Sequence, residues 1–441
     1  MRLLSILFLL PALAVAAVDK GDRILAIDVT TPASLTYDQT WPLAAACGID
    51  TIGLSLDWNQ IETGPGTFVD PGGAFAAANI YYPAKGVTLT LRPLHNAVKA
   101  VPVDLAGTDF ADGSHIMATR FCACLDWVMM QLPDVTIDTL LIGSEYDVWL
   151  GTDADRWDDW TDFLTRVTQH VRAAPYAAHI PRIGAEATHA GYVAEAARIT
   201  AVNALCDVAA VSYYAIDGAF DVKDQATLLA DLDGLLPFAS TVKPLVFIQY
   251  GCPSAWHDGT GVQDRRSEQE AFIETTFAWW DDHADVVRAI DVTWLHDVSE
   301  AALDEYEAYF GLVHPAFRTF LGSLGLRTHA GPGTDKPAYL ALLAQANARG
   351  WDGGSGGGGG PGGGGGAGGG AGGEGPLPRP DTVGMFHIWN DSEYEISGPG
   401  PQRRPGPAPG PGIRSSLPGG PGRILRSGQG HGPPPAAHPR G

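Results

Sequence analysis

Between about residues 22 and 350, short runs rich in Val, Ile and Leu alternate with longer stretches of helical periodicity. This alternation restricts the fold more than any other feature, because βα repeats bury their strands in a parallel sheet covered by helices. The apolar runs fall at 24–29, 51–56, 88–92, 139–143, 182–185, 208–213, 245–249 and 289–294. Eight is the number that closes a (β/α)8 barrel. A doubly wound open sheet would carry a glycine-rich phosphate turn after its first strand, and Asp28-Val29-Thr30-Thr31-Pro32 is not one. The pattern therefore predicts an α/β TIM barrel. Helices are expected at 119–132, 155–174, 266–281 and about 336–348.

The two ends differ from this body. Arg2 precedes the apolar run Leu3 to Val15, and Ala14-Val15-Ala16 supplies small residues for cleavage. Residues 1–17 thus read as a secretory signal, too short to span a bilayer. The expected location is secreted, either extracellular or periplasmic. The barrel domain is expected over 18–351. After Trp351 the chain becomes nearly pure Gly, then Pro/Gly/Arg-rich to Gly441. Residues 352–441 cannot bury enough apolar surface to offset their conformational entropy, so a low-complexity disordered tail is expected. Its island 383–389, Val-Gly-Met-Phe-His-Ile-Trp, is the one stretch with strand character.

The formal net charge is −22, and the acidic excess sits in the body. Such a chain is repelled by nucleic acid and by anionic lipid. No nucleic-acid partner and, after signal cleavage, no membrane partner is expected; a monomer acting on a neutral polymer fits. The five cysteines, Cys47, Cys122, Cys124, Cys206 and Cys252, show no disulfide-framework or metal-ligand spacing. Most read as small buried apolar residues, and no metal or other cofactor is implied. There is no Gly-x-Ser-x-Gly elbow, no phosphate-binding Gly-Lys-Ser/Thr loop and no His-Glu-x-x-His.

In a TIM barrel the chemistry lies at the C-terminal ends of the strands. The fourth run ends Leu140-Leu141-Ile142-Gly143-Ser144-Glu145, and the seventh reads Leu245-Val246-Phe247-Ile248-Gln249-Tyr250-Gly251-Cys252-Pro253-Ser254. The second continues as Trp58-Asn59-Gln60-Ile61-Glu62, then Gly64-Pro65-Gly66-Thr67-Phe68. The third ends Arg92-Pro93-Leu94-His95-Asn96, the fifth Glu186-Ala187-Thr188-His189, the sixth Ser212-Tyr213-Tyr214 and the eighth Trp294-Leu295-His296-Asp297. In order and spacing these motifs resemble the large clan of retaining TIM-barrel glycoside hydrolases, over roughly residues 22–350. Phe310-Gly311-Leu312 and Lys336-Pro337-Ala338 are similar to the clan's closing segment.

The resemblance implies hydrolysis of O-glycosidic bonds in a β-linked poly- or oligosaccharide, with Glu145 as general acid/base. It places Gln249 in the slot of the nucleophilic Glu. Trp294 would be the sugar platform, since a pyranose C–H face stacks on an indole. Tyr214, or its neighbour Tyr213, would bond the nucleophile position. Ser144 stands where the clan has the Asn that contacts a sugar hydroxyl. Arg92, Trp58 and Asp297 complete the expected substrate-binding set, and Glu62 a structural one. An amide is a very poor nucleophile toward a sugar carbon. Three consequences follow: a substitute carboxylate among Asp147, Glu186, Asp217 and Asp297; a disarmed protein that binds glycan without cutting it; or a single recent substitution in an ordinary hydrolase.

Overall fold

The computed structural model describes residues 17–351. The expected leader and the glycine-rich tail with its 383–389 island lie outside the described residues. Eight parallel staves form the barrel: β1 (Ile24–Ile27), β2 (Thr51–Asp57), β3 (Gly86–His95), β4 (Thr136–Ser144), β5 in two pieces (Ile183–Gly184 and Glu186–Thr188), β6 (Ala209–Tyr214), β7 (Leu245–Gly251) and β8 (Val287–Val292). Each pairs in parallel with its sequence neighbour, and β1 pairs with β8 through Ile24↔Ala289 to Ile27↔Val292. The ring closes through the broken stave. Its first piece bonds β4 and its second bonds β6, with Ala185 between them. The strands are buried along almost their whole length, as a sheet covered on both faces requires.

The helices follow the same logic. Ala154–Ala173 buries Trp157, Trp160, Phe163, Leu164, Val167 and Val171, a stripe at helical spacing, and Asp153 caps its start by accepting from Asp155 N–H and Arg156 N–H. Ile116–Gln131, Arg266–Asp282 and Pro337–Ala348 lie within a residue or a few of their expected bounds. The main apolar core runs between strands and helices. All five cysteines are free and buried in the body.

One feature lies outside a plain βα repeat. Between β8 and the last helix the chain makes an excursion through the helices Glu300–Phe310 and Pro315–Gly322. They enclose an apolar cluster separate from the main core, formed by Trp294, Leu303, Tyr306, Phe317, Phe320, Leu321 and Leu324.

Candidate active site

The site is assembled where β3, β4, β6 and β7 end. Gly143 in β4 has φ +81°, and a Cβ there would lie 3.1 Å from the Trp160 ring, so the position requires glycine twice over. Two residues on, Glu145 itself sits in the left-handed region (φ +50°, ψ +37°). That conformation costs a non-glycine residue on the order of 1 kcal/mol and concentrates at functional positions. Asn96, at the end of β3, is left-handed too (φ +52°). The two strained residues meet: Asn96 Nδ2 donates to Glu145 Oε2 at 2.6 Å, and Asn96 N–H donates to the Ser144 carbonyl at 3.0 Å. Ser212 Oγ, on β6, donates to Glu145 Oε1 at 2.6 Å. Both carboxylate oxygens of Glu145 are thus held by neutral donors.

Gln249 closes the group from β7. Tyr214 O–H donates to Gln249 Oε1 at 2.9 Å, and Gln249 Nε2 donates to Ser144 Oγ at 3.1 Å. Burial raises the Tyr214 pKa well above the ordinary phenol value, so it remains a donor. The choice between the adjacent tyrosines is settled by direction, because Tyr213 turns outward to Asp231 at 2.9 Å. The carbonyl and amino ends of the Gln249 amide are both used. A carboxylate here would accept from Tyr214 and Ser144 alike, whereas the amide needs Ser144 as acceptor.

The structure brings Glu145, Gln249, Ser144 and Tyr214 together and treats the other expected residues differently. Arg92 does orient an acid, but that acid is Asp57 rather than a member of the Glu145 group. Its Nε lies 2.7 Å from Asp57 Oδ1 in a buried ion pair beside a small cavity that Gln249 also lines. Trp58 does not face the mouth. It is fully buried, edge-on to Phe121, and its Nε1 donates to Glu62 at 2.8 Å. Glu62 in turn accepts from Gly66 N–H and Arg120, which pins the second loop. Asp297 accepts from Lys336 Nζ at 2.7 Å. Trp294 follows β8 after a cis peptide and is only 1% exposed, its ring stacked on Tyr306 at 5.9 Å and 9°.

The candidate substitute carboxylates are equally specific. Asp147 accepts from Thr188 N–H and Oγ1 at 2.8 and 2.6 Å, tying the loop after β4 to β5. Asp217 accepts from Ala219 N–H and Asp221 N–H, closing its own turn. Glu186 is wholly buried, with the Ser144 hydroxyl beside it as a donor. Burial first, and the charge of Glu145 second, push its pKa up to about 8, so it is protonated at neutral pH. Asp28, just after β1, and Asp291, on β8, form a second buried carboxyl pair with both pKa values raised by burial. Asp147, Asp217 and Asp297 are thus each bonded within the fold, and burial keeps Glu186, Asp28 and Asp291 toward their protonated forms.

Sequence reasoning passed over three members of the site. Asn96 ends the third run, but nothing in a sequence marks a left-handed Asn. Ser212 precedes the selected tyrosine. Tyr309 arrives from the excursion: its hydroxyl lies 2.7 Å from His95 Nδ1 and 3.3 Å from Asp57 Oδ2. Burial, then the charge of Arg92, drive the His95 pKa well below its ordinary value, so the ring is neutral. The arrangement that satisfies all three groups has His95 Nδ1–H donating to Tyr309 and Tyr309 O–H donating to Asp57.

No protein-family model matches the sequence, and no curated protein does. Solved structures do resemble it. A GH5_18 variant from Bifidobacterium longum subsp. longum, in complex with Manβ1-4GlcNAc, superposes with a TM-score of 0.55 at 11% identity, over 74% of this chain and 78% of that one. An exo-β-1,4-mannosidase from Opitutaceae bacterium strain TAV5 gives 0.53 at 13% identity, over 76% of this chain and 61% of that one. A fungal β-1,4-galactanase gives 0.52 at 13%, over 73% and 98%. At these identities the likeness shows the TIM-barrel fold, shared with solved glycoside hydrolases, and leaves the activity to the site.

Proposed function

We propose that this chain is a secreted, glycoside-hydrolase-type protein that takes a β-linked glycan at the mouth of its barrel and, with Gln249 in place, holds it without forming a covalent glycosyl-enzyme. The observation that carries this reading is the Gln249 amide, fixed between Tyr214 O–H and Ser144 Oγ beside Glu145. Double displacement needs a carboxylate at that position to attack the anomeric carbon. A neutral amide bonded at both ends neither attacks nor balances an oxocarbenium charge. It does keep a donor and an acceptor suited to sugar hydroxyls. The neighbouring barrels include proteins described as acting on β-1,4-mannosides and β-1,4-galactans, which supports a β-linked glycan as the ligand class. The apolar N-terminal run supports export.

A second reading, hydrolysis with Glu145 as acid/base, is favoured by one observation. Glu145 is buried, strained and held by Asn96 and Ser212, a degree of positioning that a solvated surface Glu does not have. A water-mediated inverting route would need an ionised base about 6.5–9.5 Å from it. Asp147, Asp217 and Asp297 are committed elsewhere, and Glu186 carries its proton.

One experiment separates the readings. The purified chain and Gln249→Glu are tested for binding to, and cleavage of, β-mannan, β-galactan and β-glucan oligosaccharides. Binding without cleavage by the natural chain, with cleavage appearing in Gln249→Glu, is the expected result. Cleavage by the natural chain that Glu145→Ala abolishes establishes the second reading. If neither form binds any glycan, the ligand class is wrong.

A further inference from the structure

The excursion after β8 covers the residue that a sugar would stack on. Tyr306 lies nearly parallel to Trp294, 9° between planes and 5.9 Å between ring centroids, and so covers one face of the indole. Tyr309, one turn on, bonds His95 and Asp57 at the ends of β3 and β2, and Phe310 meets the His95 ring edge-on at 5.9 Å. An aromatic face and a hydroxyl, three residues apart on one helix, thus meet an aromatic platform and a polar pair inside the mouth. With Trp294 at 1% exposure, no glycan reaches it while this helix stays in place.

The helix is lightly held. Of the eleven residues in Glu300–Phe310 only Leu303 and Tyr306 are buried, and the turn 311–315 that follows is exposed throughout. The cluster it packs into is separate from the main core. On its charged side, Arg318 of the next helix pairs with Glu300, Asp304 and Glu307. The next helix is the anchored partner, since Ser323 bonds Ser254 and Ala255, and Gln269 holds the carbonyls of Leu324 and Gly325. The excursion also leaves and returns at one neck, where Leu326 N–H donates to Trp294, Arg327 N–H to Leu295, and Asp297 N–H to Arg327. Few buried residues and a closed neck are the marks of a segment that opens without the rest of the fold.

We propose that the helix Glu300–Phe310 is an intramolecular lid, with Tyr306 standing in for the sugar on Trp294 and Tyr309 for a sugar hydroxyl on His95 and Asp57. A ligand binds by displacing it, so the observed affinity is the intrinsic one reduced by the open fraction. This rests on the glycan reading above, and the test keeps the two apart.

Hydrogen exchange of the full chain without ligand comes first. The lid reading expects amides of 300–310 to exchange through a local opening, at least a hundredfold faster than those of 157–170 in the long helix. Tyr309→Phe, which removes both polar contacts and keeps the ring, should speed lid exchange roughly three- to tenfold. Exchange of 300–310 only with global unfolding, or no response to Tyr309→Phe, overturns the lid whatever the ligand is. The second arm adds the oligosaccharide panel. Loss of protection at 300–310 on binding, and tighter binding by Tyr306→Ala, support displacement. Binding that leaves both unchanged overturns it. If nothing binds, the glycan reading fails, and the ligand-free arm alone decides the lid.

Discussion

Glu186→Gln should change how stability depends on pH while leaving the fold intact. Gln has nearly the size of Glu and carries no charge. Glu186 lies wholly inside the barrel, and its pKa is raised from 4.5 to about 8, first by burial and then by Glu145. Below pH 4.5 it is protonated in both the folded and unfolded chains, and its contribution to stability is fully present. Between 4.5 and 8 the unfolded chain has lost the proton that the folded chain keeps, so this group lowers stability as pH rises. The slope is about 1.4 kcal/mol per pH unit, or roughly 3 kcal/mol between pH 5 and 7.5. Urea denaturation at pH 5, 6.25 and 7.5 measures it. Asp28 and Asp291, raised in the same direction, keep their own share of the slope in both proteins. Relative to the natural chain, the variant should gain on the order of 2–3 kcal/mol as pH rises from 5 to 7.5. Parallel profiles for the two proteins would refute the reasoning, because they would mean that Glu186 ionises in the folded barrel at its ordinary pKa.

Three further perturbations test other parts of the structure. Arg92→Met strips the buried Asp57 of its cation and should cost about 3–5 kcal/mol in chemical denaturation; a loss under 1 kcal/mol would show the pair to be solvated. Gly143→Ala places a methyl 3.1 Å from Trp160 at φ +81° and should cost about 1–3 kcal/mol, with a shift in near-ultraviolet circular dichroism from the displaced indole. Trp58→Phe removes the Nε1–H bond to Glu62 and should cost about 1–3 kcal/mol while leaving affinity for any bound glycan within twofold; a large change in affinity would return Trp58 to the binding surface.

Particular residues show where sequence reading reached and where it stopped. The eight strands were legible because a parallel strand buried on both faces must be a continuous apolar run, as Leu245 to Ile248 is. The fifth was the exception. Its break at Ala185 is invisible in sequence because the two pieces are assigned by their partners, β4 and β6. The helix Ala154–Ala173 was legible through its spaced Trp157, Trp160 and Phe163. In the site, Glu145 and Gln249 could be picked out because each stands just after an apolar run, in a segment that resembles a motif of the clan. Their contacts could not. Asn96 and Glu145 are 49 residues apart and meet through the pairing of β3 with β4, whereas Gln249 and Ser144 are 105 apart and meet across the barrel. Trp58 looked like a mouth residue for the same reason, and burial against Glu62 placed it elsewhere; Arg92 does line the cavity beside Gln249, but it is paired with Asp57.

By itself, then, the order of apolar runs determined a βα barrel, and one amide at the seventh strand's end determined that no carboxylate stands there. Both follow from covalent sequence alone, since periodicity and side-chain chemistry need no partner. Tertiary structure alone decided that Gln249 is held by Tyr214 and Ser144, that Glu186 keeps a proton, and that Tyr306 covers Trp294. Each of these is a property of two groups distant in the chain, or of the burial they share, and comes into being only when the barrel closes.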